Sequence, residues 1–320
     1  SPTKPAGVSL LRATVMKFLL LALLFVSPLS VGDAFTGEKT FPHQGLQRTY
    51  WLHLPADLKP DAPLMVVIHG YTGAAKYIMD YSKMNDIADR EGFVVVYPQG
   101  TVDLRGNTFF NVGYDFHKDS DVDDLDFIRN LTIDVRQRYS LSPTKTFATG
   151  MSNGGEVSYM LACTSADIFR AVASITGVLM KGIADSCNTS KAIPLLEMHG
   201  TADDISPFGG DMDNSDGYGA YYDLPSSTQF FVKAMGLSEK TSTSLEDKDP
   251  NDGSSITFER YFRKDNNQQV WFYIIEGDGH HWPGAQVPWW QYPMDWVRAQ
   301  SGNRDINASE EVWSFFSEYL

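Results

Sequence analysis

At 320 residues with 42% hydrophobic content, the chain carries enough apolar side chains for a substantial core. One α/β domain of more than about 250 residues is an ordinary outcome at that length. Forty acidic against 26 basic residues leave a net charge of −14, which excludes a nucleic-acid partner held through its phosphates and suits a protein that handles neutral or insoluble material.

From Met16, the sequence Met-Lys-Phe-Leu-Leu-Leu-Ala-Leu-Leu-Phe-Val-Ser-Pro has a positive start and a short apolar core, and small residues follow it. That pattern is a secretory signal peptide. The core from Phe18 to Val26 is too short to span a bilayer and Pro28 follows closely, so no stable membrane anchor is expected. Residues 1–34 are read as upstream residues plus the signal, with cleavage near Gly32 to Ala34, and 35–320 as one domain. The expected product is a secreted monomer, extracellular or periplasmic. Export puts Cys163 and Cys187 in an oxidising compartment, where a disulfide between them is the expectation and two buried thiols the alternative.

The mature chain opens with Arg48 to Pro55, a β-prone segment with partial alternation that suits an antiparallel strand. Leu64-Met65-Val66-Val67-Ile68 is a continuous apolar run, as expected of a strand covered on both faces, and it ends in His69-Gly70-Tyr71-Thr72-Gly73. Phe93 to Pro98 repeats the pattern. Over Asp121 to Arg138 the apolar residues Val122, Leu125, Ile128, Leu131 and Val135 recur at helical spacing, with acids crowding the first turn where the helix dipole favours them.

Thr146 to Gly155 then reads as strand, sharp turn, helix around Gly150-Met151-Ser152-Asn153-Gly154. Small residues two positions either side of Ser152 allow a strained turn that lifts its hydroxyl to an apex. The N–H of Asn153, opening the next helix, is a candidate donor to an oxyanion, and that of Tyr71 is the candidate partner, with Thr72 its nearest rival. His69 is expected to be a structural hydrogen-bonder. Further strands are predicted at Ala171 to Ile175, Ile193 to His199, Ile256 to Phe262 and Val270 to Ile275. Helices are predicted at Gly154 to Cys163, Ser226 to Met235 and Ala308 to Leu320. Strands alternating with helices give a mostly parallel central sheet with helices on both faces. In the loop from Gly209 to Asp223, Asp211-x-Asp213-x-Ser215 faintly follows a Ca²⁺ loop, but glycine falls one place late at Gly217. No metal or cofactor is expected.

Beyond the ends of predicted strands stand Ser152, Asp203 and His280, in the order nucleophile, acid, base of the α/β-hydrolases. Serine is a poor nucleophile at neutral pH; an imidazole can take its proton, and a carboxylate holds the ring in the right tautomer. On residue type alone, Asp204 competes with Asp203 and His281 with His280.

The motifs His69-Gly70, Val122-Asp123-Asp124, Gly150 to Gly155, His199-Gly200-Thr201-Ala202-Asp203 and Gly279-His280-His281-Trp282-Pro283-Gly284 are together similar to those of the secreted polyhydroxybutyrate depolymerase, feruloyl esterase and acetylxylan esterase group, carbohydrate esterase family one and its relatives. The resemblance covers about residues 45–320. It implies an α/β-hydrolase fold and a serine esterase, and it selects Asp203 over Asp204 and His280 over His281. Asp278 stands where the group usually has glycine, Phe109-Phe110-Asn111 where a Trp-Asn pair is common, and the loop from Asp204 to Tyr222 is long.

The resemblance implies an ester of a polymer, or an acyl group attached to one, as substrate, with a polyhydroxyalkanoate first and feruloyl, acetylxylan or aromatic polyester substrates as alternatives. Trp282, Trp289 and Trp290 follow closely on the base. The last two lie in a proline-bounded stretch where adjacent indoles are hard to bury, so a substrate-contacting surface is expected, with core packing as the competing account. Two other classes remain: a non-catalytic binding protein on a hydrolase scaffold, which usually lacks a triad residue whereas none is missing here, and a peptidase, which the resemblance disfavours.

Overall fold

Continuous apolar runs dictate the centre of the molecule. In the computed structural model, which describes residues 2–3, 33–285 and 302–320, Leu64–Ile68 and Val94–Pro98 are strands with every residue buried. Alternate side chains point to opposite faces of a strand. Leu64, Val66 and Ile68 accordingly enter one core and Met65 and Val67 the other. The sheet is thus sandwiched, as an apolar run without polar alternation requires.

The strands in chain order are β1 (Phe35–His43), β2 (Leu46–Leu54), β3 (Leu64–Ile68), β4 (Val94–Pro98), β5 (Thr101–Val102), β6 (Thr108–Phe109), β7 (Thr146–Met151), β8 (Ala171–Ile175), β9 (Leu195–Gly200), β10 (Glu239–Ser244), β11 (Ser255–Phe262) and β12 (Gln269–Glu276). The helices are α1 (Ala75–Ser82), α2 (Met84–Glu91), α3 (Asp124–Arg138), α4 (Asn153–Thr164), α5 (Lys181–Asp185), α6 (Leu224–Ala234) and α7 (Ala308–Ser317). Ten strands form one sheet in the order β1-β2-β4-β3-β7-β8-β9-β12-β11-β10. The six from β4 to β12 run parallel. Antiparallel hairpins, β1 with β2 and β10 with β11, finish its two edges. Helices α1, α2 and α7 bury their apolar stripes on one face, and α3, α4 and α6 on the other.

This is the expected α/β-hydrolase fold, with a mostly parallel sheet and helices on both faces. Every strand predicted from an apolar run is present, shifted by at most two or three residues. The acids before α3 act as helix-start chemistry: the Asp123 side chain accepts from the Asp126 N–H as N-cap. Missed were β1, the two-residue strands β5 and β6, the short helices α1, α2 and α5, and β10, whose Glu-Lys-Thr-Ser-Thr-Ser sequence is largely exposed and becomes a strand only by pairing with β11. Cys163 is bonded to Cys187, tying the end of α4 to the segment after α5; closing that loop stabilises the fold by about 3 kcal/mol in the chain-entropy account. The signal segment from Met16, and Trp289 and Trp290, lie outside the described residues.

Candidate active site

Three strand ends bring the candidate residues to one edge of the sheet. At the end of β7, Ser152 has φ 55° and ψ −122°, a conformation that costs a non-glycine residue energy and persists only where its surroundings enforce it. Packing supplies the enforcement. A Cβ added to Gly150 would lie 2.4 Å from the Gly154 carbonyl oxygen, and one on Gly154 would lie 2.2 Å from that of Ile68. Strand and helix therefore approach as closely as glycine allows, and the turn between them has one way to go.

Asp203 follows β9. Its Oδ1 accepts the N–H groups of Ile205 at 2.9 Å and Ser206 at 2.8 Å, and its Oδ2 accepts from His280 Nδ1 at 2.8 Å. His280 Nε2 is left as the available ring nitrogen. A second imidazole, His199 of β9, reaches the same Oδ2 from below, with Nε2 at 3.2 Å. Burial pushes the Asp203 carboxyl up, but the bonds from His199 and His280 outweigh it and hold the group far below the usual carboxylate range. Both His199 nitrogens face acceptors: Nε2 lies 2.7 Å from the Ser206 carbonyl, and Nδ1 lies 3.3 Å from Glu197 Oε1. Only the imidazolium can donate from both. Burial presses the His199 pKa down, yet its bonds to Asp203 and Glu197 prevail and raise it to about 10.

His281 belongs to a separate pair. Its Nδ1 is 2.8 Å from Asp278 Oδ1, which also accepts the Gly279 N–H at 2.9 Å. Asp278, standing where the esterase group usually has glycine, is thereby explained as the partner that holds the neighbouring histidine.

The donor side of the site is built by backbone. Burial lowers the His69 pKa to about 4. Its neutral ring accepts the Gly100 N–H at Nε2, 3.0 Å, and donates from Nδ1 to the Gly70 carbonyl, 2.7 Å. The Gly73 N–H holds the same carbonyl at 3.0 Å. Because C=O and N–H of a trans peptide point in opposite directions, fixing the Gly70 carbonyl fixes the Tyr71 N–H on the other side. Gly70 itself lies against the serine: a Cβ on it would sit 3.7 Å from Ser152 Oγ. The rival N–H of Thr72 is already given to the Thr108 carbonyl at 2.8 Å. Asn153 opens α4, where the first N–H groups have no intrahelical acceptor. Its side chain is locked on Phe110, accepting that residue's N–H at 2.8 Å and donating to its carbonyl at 3.0 Å. Phe110 also packs its ring on His69 at 4.7 Å between centroids, so one residue steadies both donors.

Ser152, His280 and Tyr71 line one cavity of about 230 Å³. Six tyrosines, Tyr71, Tyr77, Tyr81, Tyr114, Tyr218 and Tyr221, form much of its wall, and the loop after Asp204 adds Ile205 and Ser206. Trp282 requires a correction. It is 2% exposed in the core under α7, with its indole N–H given to Ser309 Oγ at 3.0 Å, because the chain turns inward directly after His281. It offers no surface to a substrate. In the loop once compared with a Ca²⁺ site, Asp211 accepts from Ser215 N–H and Asp216 N–H, both at 2.9 Å, and so organises its own turn. Glu156 had no role in the sequence analysis and His199 only a place in a motif; the signal for each was a charged or polar residue interrupting an apolar helix face or an apolar strand.

The fold and this edge of the sheet define the class, an esterase-type α/β-hydrolase. Two solved structures share the fold: an acetyl xylan esterase from Aspergillus awamori, with TM-score 0.54 and 15% identity over 77% of this chain and 94% of that one, and an S-formylglutathione hydrolase from Agrobacterium tumefaciens, with TM-score 0.54 and 10% identity over 90% and 96%. Residues 48–206 match the family model described as esterase PHB depolymerase, in keeping with the depolymerase and carbohydrate-esterase group that the chain's motifs resemble. NocK of Nocardia uniformis subsp. tsuyamanensis, a protein named as an esterase, is 29% identical over 90% of this chain and 83% of its own length. Feruloyl esterase B of Piromyces equi is 29% identical over 47% of this chain, and poly(3-hydroxyalkanoate) depolymerase C of Paucimonas lemoignei is 28% identical over 49%. The match spans only 27% and 39% of those two relatives' lengths.

Proposed function

We propose that residues 35–320 form a secreted serine esterase that cleaves the esters of a polymer, or of acyl groups attached to one, through an acyl-enzyme. Ser152 Oγ attacks the ester carbonyl while His280 Nε2 takes its proton, and Asp203 holds the ring in the tautomer that permits this. The oxyanion meets the N–H groups of Tyr71 and Asn153. His280 returns the proton to the departing alcohol, and water then releases the acid by the same steps in reverse order.

The observation that carries this reading is the 2.8 Å bond from His280 Nδ1 to Asp203 Oδ2, in a ring that lines the same cavity as Ser152. Export is supported by the Cys163–Cys187 bond and the leader pattern from Met16; among the described residues no helix is long and apolar enough to cross a membrane. A polyhydroxyalkanoate is the first substrate reading, in keeping with the family match. The six tyrosines of the cavity favour a second, an aromatic acyl group such as a feruloyl ester.

The experiment is an organophosphate label followed by peptide mapping, with nitrophenyl acetate hydrolysis measured alongside. Modification at Ser152 alone, and loss of at least about a thousandfold in kcat/KM for Ser152→Ala with an unchanged melting temperature, are expected. Modification elsewhere, or near-normal activity of the variant, overturns the reading.

A further inference from the structure

Glu156 is the single carboxyl among the described residues that line the cavity, and its residue is only 3% exposed. A carboxyl taken out of water is costly unless hydrogen bonds replace what it loses. One oxygen is provided for. Tyr114 donates its hydroxyl to Oε2, and Asn153 Nδ2 lies 3.5 Å from the same atom. Oε1 has no partner among the described residues, and it is not among the sealed, partnerless polar atoms, which include Ser174 Oγ and Thr149 Oγ1. It is therefore the oxygen this side chain offers to the cavity.

A purely architectural role accounts for only half of this. An acid in the first turn of α4 is favoured by the helix dipole, and its contact with Asn153 steadies the turn after the serine. Both effects operate through Oε2 and the backbone. Neither calls for a second oxygen left open in a wall whose side chains away from Ser152 and His280 are largely tyrosine rings, Met180, Val178 and Ile205.

Position defines what that oxygen would meet. Glu156 donates its N–H to the Ser152 carbonyl at 3.0 Å, so the two residues stand one helical turn apart, with side chains about 5–6 Å from each other at Cβ. An acyl group on Ser152 Oγ would carry the next few atoms beyond its carbonyl past Glu156. The complement is a hydroxyl. Burial holds the carboxyl up to about 7, against the bonds from Tyr114 and Asn153, so near neutrality Oε1 is partly protonated. A hydroxyl can donate to the ionised form and accept from the acid; an esterified oxygen accepts only from the acid, and a methylene does neither.

We infer that Glu156 Oε1 is the specificity contact of this site, selecting acyl groups that carry a free hydroxyl a few bonds from the ester carbonyl. Within a polyester only the hydroxyl-terminal unit meets that requirement, so the enzyme favours hydroxyl-terminated oligomers over chain interiors. This inference rests on Ser152 being the nucleophile.

The test compares kcat/KM on three nitrophenyl esters with one leaving group: butyrate, 3-hydroxybutyrate and 3-acetoxybutyrate, where the hydroxyl is capped. The wild type is expected to favour the hydroxy ester by about tenfold or more over both others. That ratio should collapse towards one in Glu156→Leu and survive in part in Glu156→Gln, whose amide can still donate or accept. Melting temperatures identify a variant that has not folded; in that case the capped ester and the Gln variant decide. No preference in the wild type, or an undiminished ratio in a folded Leu variant, overturns the inference while leaving the esterase intact. If the wild type hydrolyses none of these esters, nor nitrophenyl acetate, and resists organophosphate, Ser152 is not the nucleophile and both proposals fall.

Discussion

Two histidine–aspartate pairs lie side by side beyond β12, and their bond lengths do not distinguish them: His280 to Asp203 and His281 to Asp278 are each 2.8 Å. They differ in what surrounds them. His280 borders the cavity beside Ser152, and its aspartate is fixed by two backbone N–H groups and by His199. His281 does not line that cavity and leans on the backbone at Gly302, where an added Cβ would be 3.2 Å from its ring. A short His–Asp bond is thus an orienting device in both places, and of the two rings only that of His280 is presented to the cavity that Ser152 lines.

The sharpest way to break this contrast is to remove the pairs one at a time. His280→Ala and Asp203→Asn should each lower kcat/KM by about ten-thousandfold, whereas His281→Ala and Asp278→Asn should cost less than about tenfold, through slight movement of the shared turn. Steady-state kinetics on a soluble ester decides it. Equal losses from the two pairs would mean that both act on the substrate.

A smaller effect is expected from the contact that supports both pairs together. Gly200, the last residue of β9, lies under the turn that carries them: an added Cβ would be 2.2 Å from the Asp278 carbonyl oxygen and 2.6 Å from that of Gly279. Backbone atoms cannot swing aside as a flexible side chain would, so Gly200→Ala should destabilise the protein by about 1–3 kcal/mol and lower activity with it. An unchanged melting temperature with unchanged kcat/KM would remove β9 as the common support.

The smallest effect concerns charge. Burial pulls the His281 pKa down, but its bond to Asp278 and that residue's charge prevail, and the net shift is upward. A histidine with a raised folded pKa contributes stability that is complete below its unfolded value of about 6.5 and is lost as pH rises through the folded value. The margin in melting temperature between wild type and His281→Ala should therefore narrow above about pH 6.5. A constant margin from acid to alkaline pH would show that this pair does not gain stability from protonation.

Much of this architecture is written locally. Strands β3, β4 and β8 are readable because a strand buried on both faces draws mostly apolar residues. The turn at Ser152 is readable because glycines two residues either side are demanded by contacts within one strand–turn–helix unit. Polar edge strand β10 carries no such pattern, since its only requirement is the backbone of β11. The same limit applies to the site. Sequence put Asp203 beside Asp204 and His280 beside His281, and motif resemblance chose between them, but adjacent residues point in different directions and only the packed turn assigns each histidine its own carboxylate. Trp282 in the core and Glu156 in the cavity wall were likewise decided by tertiary packing. An indole or a carboxyl has the same composition whichever way it faces, and the side it faces is fixed by distant elements, α7 for the one and Tyr114 for the other.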